Sequence, residues 1–100
     1  MSQGDPRFHA LLKEIGALHD RKQLDYGVTA DPFANVRASQ DFGVAPWIGS
    51  LVRLNDKVTR LKAFARRGSL ANESAEDSMF DIAVYALIAL ILYREETQDA

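Results

Sequence analysis

The residues able to do chemistry fall into four groups, and the sharpest is acidic. Four carboxylates and no base lie between Glu73 and Asp81. Glu73, Asp77 and Asp81 recur every fourth residue, with Tyr85 next in the row, so a helix would set them on one face. Stacked like charges oppose helix formation unless something compensates. Asp81 stands inside an apolar stretch, where an isolated carboxylate is costly. Hard oxygen ligands gathered on one face suit Mg²⁺ or Mn²⁺. Two plainer accounts fit the same residues. Glu73 and Asp77 near a helix start are favourable with its macrodipole, and Asp81 can pair with an Arg or Lys.

The second group is basic. Arg53, Lys57, Arg60, Lys62, Arg66 and Arg67 face a single acid, Asp56, in the same stretch. Antiparallel helices joined by a short loop would set this row opposite the acidic one. Such a pairing is either structural salt bridging or a phosphate cradle facing a metal cradle, since triphosphates need cations on their oxygens. The third group continues the row of Phe8, Leu12 and Ile15 into His19, Lys22 and Tyr26 at helical spacing. Either a pocket floor begins at His19, with Lys22 on an anion, or the helix end emerges into solvent. The fourth group is Asp31, Pro32, Phe33, Ala34 and Asn35, with Pro46 and Trp47 further on. Phe33 and Trp47 can stack on a nucleobase and Asn35 can read an amide-like edge, or the aromatics simply anchor a loop.

Helices must position these groups. Asp5 is a fitting N-cap and Pro6 a fitting first residue for a helix from Pro6 to Leu24, ended by Tyr26 and Gly27. Phe8, Leu11, Leu12, Ile15 and Leu18 form its stripe. The connection from Val28 to Pro46 is long enough to be functional. Asp31 and Pro32 can start a short helix there, anchored by Phe33 and Val36 and ended by Gly43. A second long helix spans Trp47 to Arg67, stops at Gly68, and has Leu51, Leu54, Val58, Leu61 and Ala65 as its apolar stripe. After a loop from Ser69 to Ser74, Ser74 and Asp77 resemble a capping box with Asp in place of Glu. The third long helix, Ala75 to Glu95, is apolar all round from Met79 to Tyr93 except at Asp81. A helix apolar on every side is covered on every side. The other helices cover it poorly, so a homodimer packed through helix 75–95 is expected. Strand signals are weak and the expected class is all-α.

The chain has 100 residues, 47% hydrophobic and 26% charged, a mixture that suits one globular domain spanning residues 1–100. The net charge of −2 advertises neither nucleic acid nor an anionic membrane, so direct DNA binding is not expected. There is no cysteine, which excludes disulfides, thiolate zinc sites and cysteine nucleophiles. The run from Ile82 to Tyr93 falls short of the roughly 20 apolar residues a membrane span needs. The N-terminus has no signal-peptide core. A cytoplasmic location is therefore expected.

Taken together, the groups carry a resemblance. His19-x-x-Lys22-x-x-Asp25-Tyr26-Gly27, then Asp31-Pro32-Phe33-Ala34-Asn35, then Pro46-Trp47-x-Gly49, then Arg53-x-x-Asp56-Lys57-x-x-Arg60-Leu61, then Glu73-Ser74-x-x-Asp77-x-x-x-Asp81-x-x-x-Tyr85 resembles the nucleotide modification associated domain family, type 1, of phages and bacteria. The resemblance covers about residues 11–93. That family is in turn similar to the MazG-like all-α nucleoside triphosphate pyrophosphohydrolases, which are usually oligomeric and bind Mg²⁺ through carboxylates of neighbouring helices. The resemblance implies a small MazG-like bundle of three main helices plus a short one, completed by dimerisation. It also implies a Mg²⁺- or Mn²⁺-dependent pyrophosphohydrolase acting on (deoxy)nucleotides in a bacterial or phage-infected cell. Asp77 and Asp81 would be metal ligands, helped by Glu73 and Asp56. His19, Lys22, Arg53 and Lys57 would serve catalysis, and Tyr26, Phe33, Asn35, Trp47 and Arg60 would hold the substrate. Two positions depart from the superfamily pattern. Ser78 stands three before Asp81, where an acid is usual, and Arg53-x-x-Asp56 replaces a pair of glutamates. Fewer carboxylates imply weaker or single-metal binding. The alternatives are a nucleotide-binding module without catalysis and a helical partner of a DNA-modification system.

Overall fold

The structure is a computed structural model that describes residues 3–26, 32–69 and 74–98, without the side chains of 23–26. Every regular element among the described residues is helical: α1 (Pro6–Tyr26), α2 (Ala34–Arg37), a 3₁₀ turn (Ala38–Phe42), α3 (Pro46–Arg67) and α4 (Ala75–Gln98). No described helix is long and apolar enough to cross a membrane. The chain forms two compact units, Met1–Pro32 and Phe33–Ala100.

The first unit contains α1. Asp5 caps it as expected. Its carbonyl accepts from the Phe8 amide at 3.0 Å, and its carboxylate accepts from the Arg7 amide at 2.8 Å. The helix reaches Tyr26, two residues past the expected Leu24. Its stripe does not become a core within this unit: Phe8 is 61% exposed, and Leu11 and Leu12 are each 45% exposed. Ile15 and Leu18 are half-buried.

The second unit is built on an antiparallel pair. Trp47 near the start of α3 meets Tyr93 near the end of α4, and Lys57 deeper in α3 meets Asp81 near the start of α4. Gly68 ends α3 in the left-handed region at φ 78°, and its amide donates to the Phe64 carbonyl at 2.7 Å. Ser74 begins α4, its Oγ accepting from the Asp77 amide at 3.0 Å. Both stops follow from sequence. Glycine tolerates positive φ, and a serine hydroxyl satisfies an orphan N–H at a helix start.

The α3 seam differs from the expected stripe. Leu51 is 40% exposed and Ala65 is exposed, whereas Ser50 is fully buried. Leu54, Val58 and Leu61 of that stripe are half-buried as expected, while Ser50, Lys57 and Phe64 are buried or half-buried beside the exposed Leu51 and Ala65. Ser78 is fully buried on α4. Small residues let the two backbones approach, and the Ser50 Oγ donates to the Tyr85 carbonyl at 2.7 Å. That bond keeps a buried hydroxyl satisfied.

The short helix of the connection starts at Ala34, later than an Asp31 cap would place it, with Phe33 at the cap position; Asp31 lies outside the described residues. Val36 is buried as expected, while Phe33 is half-buried. The 3₁₀ turn was not foreseen. Gly43 closes it at φ 76°, and the Ser39 Oγ donates to the Val44 carbonyl at 2.9 Å. This segment lies tightly on α3 at Gly49, where a Cβ would sit 2.7 Å from Ser39 Oγ and 2.8 Å from Ser39 Cβ.

Candidate functional site

Among the described residues, a charge pair largely shielded from water lies where α3 and α4 meet. Lys57 Nζ and Asp81 Oδ2 are 3.0 Å apart, and both side chains are only 19% exposed. Asp81 was costly in prospect because it interrupts an apolar run. The seam resolves that cost by setting a lysine opposite it, so attraction in a partly dehydrated setting offsets desolvation.

The neighbours of this pair follow from helical spacing. Arg53, Lys57 and Arg60 sit at i, i+4 and i+7 and share one flank of α3. Arg53 and Arg60 are exposed. Asp77 lies one turn before Asp81 on α4 and is exposed, so the acidic row runs from solvent into the seam. Because Lys57 meets Asp81, the basic flank of α3 and the acidic flank of α4 lie on the same side of the hairpin. Asp56 is also exposed. Among the described residues no three His, Cys, Asp or Glu side chains gather into a group able to hold a metal. Glu73 lies outside the described residues.

The expected base-holding residues are distributed around the start of α3. Trp47 is half-buried and packs edge-on against Tyr93, with ring centroids 5.4 Å apart at 85°. Asn35 is exposed at the second position of α2, next to the half-buried Phe33. Trp47 and Lys57 are ten residues apart on one helix, about 15 Å along its axis. In the first unit His19 is half-buried and Lys22 exposed. The Tyr26 side chain lies outside the described residues.

Two features lacked any local signal in the sequence. Arg37 and Glu95 form a two-pronged ion pair, Nη1 to Oε2 at 2.9 Å and Nη2 to Oε1 at 3.2 Å, tying α2 to the end of α4. Beside it opens a cleft of about 300 Å³ lined by residues including Arg37, Gln40, Pro46, Leu92 and Glu96. The partners are 58 positions apart, and only the helical hairpin brings them together.

Comparison with known proteins returned no match: no family model, no curated protein and no solved structure matches the chain.

Proposed function

We propose that the flank of the α3–α4 hairpin around Lys57 and Asp81 binds the phosphates of a nucleoside triphosphate together with Mg²⁺ or Mn²⁺, and that the chain is a pyrophosphohydrolase resembling the MazG-like enzymes. The observation that carries this reading is the lysine–carboxylate pair in the seam, bordered by exposed arginines on one helix and an exposed aspartate on the other. Mg²⁺ is commonly held by one or two carboxylates, with substrate phosphates and water completing its shell. Asp77 and Asp81, one turn apart, match that donor set. The metal, when bound, neutralises phosphate charge and lowers the pKa of water.

Under this reading Arg53, Lys57 and Arg60 bind phosphate oxygens, with Lys57 turning from Asp81 toward the substrate. Trp47, Phe33 and Asn35 form the base end, and the roughly 15 Å along α3 between Trp47 and Lys57 suits an extended triphosphate. Water attacks the α-phosphorus, the bond to the bridging oxygen breaks, and pyrophosphate leaves with that oxygen. The reading includes association of two chains through α4.

The test is incubation of the full chain with each dNTP and Mg²⁺, with pyrophosphate release as the readout. Release that disappears in Asp81→Asn supports the enzyme; nucleotide binding without release rejects it. One observation favours the second outcome. Asp81 is already engaged by Lys57, and the α4 row offers two described carboxylates. A nucleotide-binding module, or a helical partner of a DNA-modification system, needs no more than that.

A further inference from the structure

α4 has two apolar sides, and α3 covers one of them. Toward α3 lie Ser78, Asp81, Tyr85, Ala89 and Leu92. On the opposite side Glu76, Phe80, Ala83, Leu87, Leu90 and Arg94 recur at alternating intervals of four and three residues, the period of a coiled-coil seam. Met79 and Ile91 flank this row. Met79, Leu87, Leu90 and Ile91 are 56%, 46%, 45% and 43% exposed, while Phe80 and Ala83 are half-buried. The row is apolar along its length and carries opposite charges at its ends, about 27 Å apart over five turns.

We infer that this side of α4 is covered by the same side of α4 from a second copy, running antiparallel about a two-fold axis. The inference rests on the association proposed above and not on the nucleotide chemistry. The charge pattern selects the direction. Antiparallel pairing sets Glu76 against the partner's Arg94 at both ends of the interface, because a two-fold contact occurs twice. It also sets Phe80 against the partner's Leu90, and Ala83 against the partner's Leu87, a small residue facing a large one at the centre. In an antiparallel seam the two heptad core positions face one another, and these pairs satisfy that rule throughout. Parallel pairing would stack Glu76 on Glu76 and Arg94 on Arg94.

The experiment is sedimentation of the full chain at low salt, with helix content checked by circular dichroism. The wild type is expected to dimerise. Glu76→Arg alone and Arg94→Glu alone each place like charges at both ends, and each is expected to raise the dimer Kd by about tenfold. An equimolar mixture of the two single variants is expected to recover dimerisation, because every end pair is again opposite in sign. The doubly exchanged chain, Glu76→Arg with Arg94→Glu, is expected to dimerise as the wild type does. Leu87→Glu is expected to abolish the dimer while helix content holds. A monomeric wild type overturns both the association and its geometry. A dimer unmoved by Leu87→Glu moves the surface off this side of α4. A dimer lost in Leu87→Glu whose charge variants neither weaken nor complement one another overturns the antiparallel register alone.

Discussion

Asp81 and Lys57 are worth more to each other than an exposed pair and less than a fully buried one. Exposed pairs contribute up to about 1 kcal/mol, and breaking a buried pair costs about 3–5 kcal/mol. At 19% exposure on each side, Asp81→Asn is expected to destabilise the fold by about 1–3 kcal/mol, read from the urea midpoint. Replacing both partners, Lys57→Met with Asp81→Leu, is expected to recover most of that loss, because no unpaired charge remains. If the pair is also a metal and phosphate site, the double variant separates the roles: stability returns and Mg²⁺ binding does not. At the start of α1 a second carboxylate gives a pH prediction. The Arg7 side chain, and then its amide, hold the Asp5 carboxyl below the ordinary carboxylate range. The folded helix therefore favours the charged form. Its contribution is present above the unfolded value near 3.8 and is lost as pH falls through the lowered one. Protection at the Arg7 and Phe8 amides, taken as exchange relative to the intrinsic rate at each pH, is expected to fall over that interval in the wild type. Asp5→Asn is expected to remove that fall.

Between elements, close approach governs more than apolar area does. A Cβ on Gly49 would overlap Ser39, and no rotation of the Ser39 hydroxyl relieves a 2.8 Å contact between carbons. Alanine has the better helix propensity by about 1 kcal/mol, yet overpacking costs about 1–3 kcal/mol. Gly49→Ala is expected to lower Tm, and adding Ser39→Gly, which removes the two closest atoms but leaves the Val36 carbonyl 3.2 Å from the new Cβ and loses the Ser39–Val44 bond, is expected to restore part of it. The same principle explains what the sequence reveals and what it conceals. Helix ends are legible because they are local chemistry: Asp5 and Ser74 cap orphan amides, and Gly43 and Gly68 accept positive φ. The hairpin and its opposed charge rows are legible from a basic stretch, a glycine stop and an acidic start. The burial of Ser50 in place of Leu51 is not. Apolar periodicity points to Leu51, but a tight helix crossing selects the smallest side chain available, and Ser50 is buried instead. Arg37 and Glu95 are illegible for another reason, since nothing near either residue announces a partner so distant in sequence. That Asp81 can pair with an Arg or Lys is legible, and only the seam makes that partner Lys57.

For the whole molecule the notable quantity is how little apolar surface the described residues hide. Val36, Ala89 and Leu92 are the buried apolar side chains among them, and Leu87, Leu90 and Ile91 on the outer side of α4 stay exposed. Small chains bury a smaller share of their surface than large ones, so the proposed association with a second copy would add much to stability here. Tm is expected to rise with protein concentration over the micromolar range, as mass action requires when the folded form associates. A Tm independent of concentration would mean that the single chain carries its own stability. The hairpin also bears on kinetics. The Ser50–Tyr85 bond joins positions 35 apart on helices adjacent in the chain, so it can form before contacts more distant in sequence. Ser50→Ala is therefore expected to slow refolding. Loss of the Arg37–Glu95 clasp, which closes a much longer loop, is expected to leave the folding rate nearly unchanged and to speed unfolding.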